Sequence, residues 1–117
     1  IDNHAPLTYL HHMEFIETPV FTSWLKANVN DDEYREFQQE IASNPTKGDV
    51  IQGTGGFRKV RIAYGSKGKR GGGRVIYYWF DDDSQIYLVM GYSKGEKSDL
   101  SPQEKRTLKG LTEYLKG

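Results

Sequence analysis

The chain has 117 residues, a length that suits one domain with a single core and leaves little room for a second. It contains no cysteine, which excludes disulfides, thiolate metal ligands and cysteine nucleophiles. With 16 basic and 16 acidic residues the formal net charge is zero, so bulk charge alone does not indicate a nucleic-acid partner.

The charges are nevertheless segregated along the chain. No acidic residue lies between Asp49 and Asp81. The basic residues of this central segment are Arg58, Lys59, Arg61, Lys67, Lys69, Arg70 and Arg74. Acidic residues gather instead at positions 31–40 and 81–83. The pattern predicts a molecule with one basic and one acidic side, and a solvated basic loop without a ligand is the alternative.

The amino-terminal residues 1–12 have no amphipathic period, and they precede Met13, which fits a native start. We interpret residues 1–12 as a tag or vector-derived extension and residues 13–117 as the domain. The alternative is a weak metal site formed by the histidines of this segment, His4, His11 and His12. The longest apolar run, residues 75–80, is far shorter than the roughly 20 residues that span a bilayer. We therefore expect a cytoplasmic protein without a membrane partner.

A short strand around Phe15 is predicted to lead into two helices. The first begins at Thr18, a good capping residue that is followed by proline. The second begins near Asp31 and ends at Asn44-Pro45. The side chains expected to face the core are Val20, Trp24 and Val29 in the first helix and Tyr34, Phe37 and Ile41 in the second.

After Pro45 the pattern alternates, which predicts three antiparallel strands at residues 57–63, 74–80 and 85–92. A glycine-rich and basic loop at residues 64–73 separates the first two strands. A capping-box pattern at Ser101-Pro102-Gln103-Glu104 predicts a carboxy-terminal helix. The predicted buried stripe of that helix is Leu108, Leu111 and Leu115. The expected fold class is α+β, with two amino-terminal helices, a mostly antiparallel sheet of four to five strands and a carboxy-terminal helix.

Basic side chains are predicted to converge at one end of this sheet. Lys59 and Arg61 share one face of their strand because side chains alternate along a strand. Arg74 opens the next strand, where its guanidinium can form two bonds with a phosphate. Tyr92 ends the last strand and Lys94 follows it. These five residues are the candidate catalytic cluster, and a structural role is the alternative for each.

The sequence also restricts the chemistry. No histidine follows His12, so the imidazole acid–base pair of many ribonucleases is excluded from the domain. The run Asp81-Asp82-Asp83 is more typical of a solvated turn than of a metal nuclease, because successive side chains alternate in direction. We therefore expect a site without metal or cofactor.

Three stretches resemble HigB toxins of the RelE superfamily, in the same order and at similar spacing. They are residues 49–61 (DVIQGTGGFRKVR), 67–78 (KGKRGGGRVIYY) and 92–100 (YSKGEKSDL), and the similarity extends over nearly everything from Met13 onwards. The resemblance implies a RelE-like fold and a toxin that enters the ribosomal A site and cuts messenger RNA there. It also implies a cognate antitoxin, of the HigA kind, that holds the toxin silent.

The resemblance further implies roles for individual residues. Lys59 and Arg61 match the paired basic residues of the family, Arg74 matches the arginine that opens the next strand, and Lys94 matches a lysine after the last strand. In the implied reaction a 2′-hydroxyl attacks the neighbouring phosphate, the two arginines neutralise charge, Lys59 acts as base, and Lys94 or Tyr92 protonates the leaving oxygen. The basic residues assigned to RNA or ribosome contact are Arg58, Lys67, Lys69, Arg70 and Lys97.

The sequence departs from the family pattern at two positions. Gly95 stands where many RelE proteins have an arginine, and Ser101 stands near the position of their catalytic tyrosine. Tyr92 is the candidate to replace that tyrosine.

Three other functions remain compatible with the sequence. A ParE-like toxin would share the fold but act on DNA gyrase, although the basic cluster argues against it. An RNA-binding module without catalysis would stack bases on the aromatic run of the strand at residues 74–80. An interaction protein would use the basic face only to hold an acidic partner.

Overall fold

The computed structural model describes residues 13–65, 72–80, 84–97 and 99–116. Within these residues the elements are β1 (Glu14–Glu17), α1 (Pro19–Asn28), α2 (Asp31–Ser43), β2 (Asp49–Val50), β3 (Arg58–Ile62), β4 (Gly73–Phe80), β5 (Gln85–Ser93) and α3 (Pro102–Lys116). The α+β class and the order of elements are confirmed. The amino-terminal segment 1–12, most of the basic loop and the acidic turn 81–83 lie outside the described residues.

The five strands form one sheet in the order β1-β5-β4-β3-β2. The meander of β3, β4 and β5 is antiparallel, as the alternating pattern predicted. The strand pairings at the two edges of the sheet were not predicted. β1 pairs with β5 in parallel, and β2 pairs only with Arg58 and Lys59 of β3. In the part of the chain that the structure describes, the edge of β3 from Val60 to Ile62 therefore has no strand partner.

A hydrophobic core lies on each face of the sheet. On one face, residues of α1 and α2 such as Phe21 and Ile41 pack against Val75 and Leu88. On the other face, α3 packs through Leu108 against residues that include Phe57, Ile76 and Tyr92. Both faces of β4 are therefore covered, which explains why this strand is apolar at nearly every position.

One predicted core position is wrong. Val20 is 65% exposed, whereas Phe21 and Leu25 are buried. The larger phenyl ring of Phe21 takes the core position in the first turn of α1, and the adjacent residue of a helix then points about 100° away. The predicted inward positions Val29, Phe37 and Ile41 are buried.

The helix starts follow from hydrogen bonds that the sequence predicted. The Thr18 hydroxyl accepts from the backbone N–H of Phe21 at 3.1 Å. At the start of α3, the Ser101 hydroxyl accepts from the N–H of Glu104 at 3.1 Å, and the Glu104 carboxylate accepts from the N–H of Ser101 at 2.8 Å. This reciprocal pair confirms the capping box. A second capping box, between Asn30 and Glu33 of α2, was not foreseen.

The docking of α1 depends on a glycine in β5. The indole ring of Trp24 lies against Gly91, where an added Cβ atom would approach the ring carbon Cε3 to 2.3 Å. Trp24 also meets the Tyr64 ring edge to face, with ring centroids 5.8 Å apart. A residue without a side chain is needed at position 91 because the indole occupies the space of the Cβ atom.

We expect Gly91→Ala to lower the free energy of unfolding by about 1–3 kcal/mol, because the added methyl overpacks the contact with Trp24. Gly110→Ala is the matched control. Gly110 lies in α3 with no atom within 4 Å of an added Cβ, so this change should stabilise the protein by up to ~1 kcal/mol through helix propensity. Urea denaturation measures both values, and equal effects of the two changes would contradict the packing argument.

Candidate functional site

Three of the candidate catalytic residues form a row across the sheet. Arg61 of β3 lies directly opposite Arg74 of β4, and Arg74 lies directly opposite Tyr92 of β5. Residues that are directly opposite in antiparallel strands project from the same face. This face also carries α3, which places the row beside the second core.

In the part of the chain that the structure describes, the two arginines lack acidic partners. Among the described residues, neither Arg61 nor Arg74 forms an ion pair, and the Arg74 guanidinium donates to the carbonyl of Gly73 at 2.9 Å. Like charges that face each other across two strands destabilise a sheet. The arginine pair is therefore better suited to bind an anion than to hold the fold together, and an oxyanion such as a phosphate matches the guanidinium geometry.

Lys59 lies on the same face, two residues before Arg61. Its ammonium is 3.5 Å from the Asp99 carboxylate, which is also 4.0 Å from the ammonium of Lys105. The backbone N–H of Leu100 donates to the same carboxylate at 2.8 Å. This N–H bond and the two ammonium groups hold the pKa of Asp99 below its usual range. In the described part of the chain, Asp99 therefore pairs with lysines.

Tyr92 is almost entirely covered. Its side chain is 3% exposed, and its hydroxyl has no hydrogen-bond partner among the described residues. The ammonium of Lys97 lies over the ring, 5.5 Å from its centroid. Burial, together with the nearby negative charge of Asp99, raises the pKa of the Tyr92 hydroxyl. The hydroxyl is therefore neutral at physiological pH.

Lys94 follows β5 in a turn and is exposed. Its backbone N–H donates to the carbonyl of Gly72 at 3.1 Å, and Glu96 closes the turn by accepting from the N–H of Ser93 at 2.8 Å. Because Ser93 pairs with Gly73 at the start of β4, Lys94 lies at the same end of the sheet as Arg74. The predicted convergence of strand ends is present in the structure.

The residues assigned to RNA contact are distributed differently. The Arg58 guanidinium donates to the carbonyls of Thr46 and Gly48 at 3.2 and 2.8 Å. Because side chains alternate along a strand, Arg58 and Lys59 project from opposite faces of the sheet. The Lys97 ammonium donates to the Glu104 carboxylate at 2.6 Å. The remaining three, Lys67, Lys69 and Arg70, lie outside the described residues.

Sequence reasoning missed several residues that border the cluster. Asp99 and Lys105 were not assigned a site role, although Asp99 belongs to the Lys-x-Glu-x-x-Asp-Leu stretch that supported the resemblance. A pocket of about 310 Å³ beside the unpaired edge of β3 is lined by Lys47, Asp49, Lys59, Val60 and Arg61. A short strand such as β2 gives no alternating signal, so nothing in the sequence indicated this pocket.

No group of three or more histidine and acidic side chains is placed to hold a metal ion in the described part of the chain. Among the same residues, no helix is long and apolar enough to cross a membrane.

Comparison with known proteins identifies the chain's relatives. Residues 13–117 match the family described as the RelE toxin of the RelE/RelB toxin–antitoxin system. A double arginine-to-alanine mutant of the Escherichia coli toxin RelE in the free state has a similar structure, with a TM-score of 0.56, 9% identity, and coverage of 82% of this chain and 95% of that chain. The archaeal RelE–RelB complex from Pyrococcus horikoshii OT3 gives a TM-score of 0.47, 23% identity, and coverage of 74% and 99%.

The buried hydroxyl of Tyr92 generates a prediction about stability. Because an unpaired buried hydroxyl carries a desolvation cost of about 1–3 kcal/mol, Tyr92→Phe should leave the free energy of unfolding unchanged or raise it. Tyr64→Phe is the control, since the Tyr64 hydroxyl shares a 2.6 Å hydrogen bond with Ser93 and its loss should destabilise the protein. Chemical denaturation gives both values. A clear loss of stability in Tyr92→Phe would mean that the hydroxyl has a partner.

Proposed function

The chain belongs to the RelE toxin family, and on that premise we propose that it is a ribosome-dependent endoribonuclease that cuts messenger RNA in the A site. The observation that carries the proposal is the opposed pair Arg61 and Arg74. These two guanidiniums share one face of the sheet and have no carboxylate partner among the described residues. A scissile phosphate would supply the missing negative charge.

In the proposed reaction the ribose 2′-hydroxyl attacks the adjacent phosphorus in line with the departing 5′-oxygen. The products are a 2′,3′-cyclic phosphate and a free 5′-hydroxyl. Arg61 and Arg74 stabilise the extra negative charge of the transition state, and each well-placed donor of this kind contributes about 3–4 kcal/mol. The rigid pairing of β3 with β4 supports this role, because a preorganised donor needs no rearrangement during the reaction.

The remaining two catalytic roles are a proton donor and a base. Lys94 is the better donor to the leaving oxygen, because its side chain is exposed at the end of the cluster whereas the Tyr92 hydroxyl is buried. Lys59 was expected to be the base, but its 3.5 Å ion pair with Asp99 favours a role in binding anions. We propose that Lys59 contacts a phosphate. We also propose that the ribosome positions the messenger RNA and contributes much of the proton transfer in the reaction.

The proposed partners follow from the family match and agree with the charge distribution. Lys67, Lys69 and Arg70 of the glycine-rich loop would contact ribosomal RNA through phosphates, without a catalytic role. A cognate antitoxin, of the HigA kind if the HigB-like motifs define the subtype, would silence the toxin by covering the basic cluster. The site of action is the cytoplasm, where ribosomes translate.

The competing functions receive less support. An RNA-binding module would need exposed aromatic rings, yet Tyr77 and Tyr78 of β4 are buried on opposite faces of the sheet. A ParE-like gyrase inhibitor would share the fold but has no evident use for two opposed arginines.

We expect rapid cutting of messenger RNA on programmed ribosomes and slow cutting of the same RNA in free solution, because the described cluster has no histidine pair to activate the 2′-hydroxyl. The measurement is a single-turnover time course with mapping of both new RNA ends. Cyclic-phosphate and 5′-hydroxyl ends are expected. Efficient cutting of free RNA, particularly if a chelator abolishes it, would refute the proposal.

Arg74→Ala should lower the single-turnover rate by about 10²–10³, the usual range for losing one preorganised donor, while ribosome affinity changes little. Arg74→Lys should recover only part of the rate, since an ammonium cannot form the two parallel bonds of a guanidinium. Arg35→Ala is the control, because Arg35 is an exposed arginine of α2 whose ion pair with Asp32 lies at the surface. A folded, ribosome-bound Arg74→Ala protein with a normal rate would remove Arg74 from the mechanism.

A further inference from the structure

We infer that Lys59 and Lys105 form a second phosphate-binding position beside the arginine pair, and that the Asp99 carboxylate occupies it in the free protein. The inference rests on the proposed function in one respect, namely that the phosphate belongs to the messenger RNA. It adds a residue of α3, Lys105, to a site otherwise built from strand residues.

The distances indicate that the carboxylate is a poor fit between the two lysines. Its oxygens lie 3.5 Å from the Lys59 ammonium and 4.0 Å from the Lys105 ammonium. Tight bonds between ammonium and carboxylate groups measure about 2.7–2.9 Å. Asp99 thus neutralises both lysines without forming a close bond to either. A phosphate diester is not held by the Leu100 N–H as the Asp99 carboxylate is, so its oxygens can approach both ammonium groups more closely.

The position is open to a ligand. The side chains of Lys59, Lys105 and Asp99 are 30%, 32% and 55% exposed. The backbone beside Asp99 is anchored, because Leu100 is buried in the second core and the capping box at Ser101 fixes the start of α3. The Asp99 side chain can therefore rotate away from the lysines while the chain that carries it remains in place.

The spacing along β3 matches an RNA backbone. Lys59 and Arg61 are two residues apart on one face of a strand, a separation of about 6.6 Å. This is comparable to the distance between successive phosphates of an extended RNA strand. If the arginine pair holds the scissile phosphate, Lys59 and Lys105 hold a phosphate next to it. Displacement of Asp99 then accompanies binding, and the carboxylate weakens the affinity of the free protein for RNA in general.

The test compares two substitutions that each remove one negative charge near Lys59. Asp99→Asn removes the charge that contacts the ammonium and keeps an oxygen for the Leu100 N–H. Asp49→Asn removes the charge of Asp49, which lies opposite Lys59 on β2. Asp49 itself forms no ion pair among the described residues. Binding is measured on ribosomes programmed with messenger RNA whose A-site codon carries 2′-deoxyribose, so that no cutting occurs.

We expect Asp99→Asn to tighten binding roughly threefold, the effect of an exposed ion pair, and Asp49→Asn to change it little. Because the wild-type protein already makes this phosphate contact once Asp99 is displaced, the slope of log affinity against log salt should change little in Asp99→Asn. It should become shallower by up to about 0.7, the value for one phosphate contact on a single strand, in Lys105→Gln. Lys105→Gln should weaken binding of the otherwise unchanged protein, and it should cancel most of the gain when it is combined with Asp99→Asn. Thermal melting verifies that each variant is folded.

Several outcomes would overturn the inference. These are weaker or unchanged binding by Asp99→Asn, equal effects of the two asparagine substitutions, or a full gain in the Lys105→Gln background. The inference would also be overturned if Asp99→Asn bound the antitoxin more tightly but did not bind programmed ribosomes more tightly. The position would then recognise an acidic protein. Cutting of all-ribose messenger RNA by the wild-type protein tests the proposed function separately, so an absence of cutting would not be confused with a failure of this second position.

Discussion

The pairing of β4 with β3 on one side and β5 on the other is the interaction on which the rest of the structure depends. It creates two covered faces, so both hydrophobic cores are built on the same strand. It also places Arg61, Arg74 and Tyr92 in one row. A change of register by a single residue would move each basic side chain to the opposite face of its strand. The same strand pairing therefore fixes both the two cores and the positions of Arg61, Arg74 and Tyr92 along the sheet.

Much of this arrangement could be predicted because the signals are local. The capping box at Ser101, the alternation in β3, β4 and β5, and the apolar stripe of α2 each lie within a few consecutive residues. The parallel pairing of β1 with β5 could not be predicted in this way, since the two strands are about 70 residues apart and share no local pattern. The exposure of Val20 was missed for a related reason: hydrophobicity alone does not decide which of two adjacent apolar residues faces the core.

The candidate site could likewise be predicted where it depends on local patterns, and could not be predicted where it depends on distant contacts. Alternation was sufficient to put Lys59 and Arg61 on one face, and strand order was sufficient to bring Arg74 and Lys94 to one end of the sheet. The ionic partners were not predictable, because Asp99 reaches Lys59 across a gap of 40 positions in the chain. Burial of the Tyr92 hydroxyl likewise depends on how α3 packs. Sequence patterns thus gave the direction of the side chains, and tertiary contacts determined their charge environment.

The short β2 strand has a consequence for self-association. Because β2 pairs with only two residues of β3, the backbone of Val60 to Ile62 forms an open sheet edge in the part of the chain that the structure describes. Such an edge is a template onto which a strand of another copy can add, and natural proteins often guard it with a charged side chain. Arg61 stands in the middle of this edge, and its positive charge would oppose pairing with the same edge of a second copy. The same guanidinium that is suited to an anion would then also act as a gatekeeper against edge-to-edge aggregation.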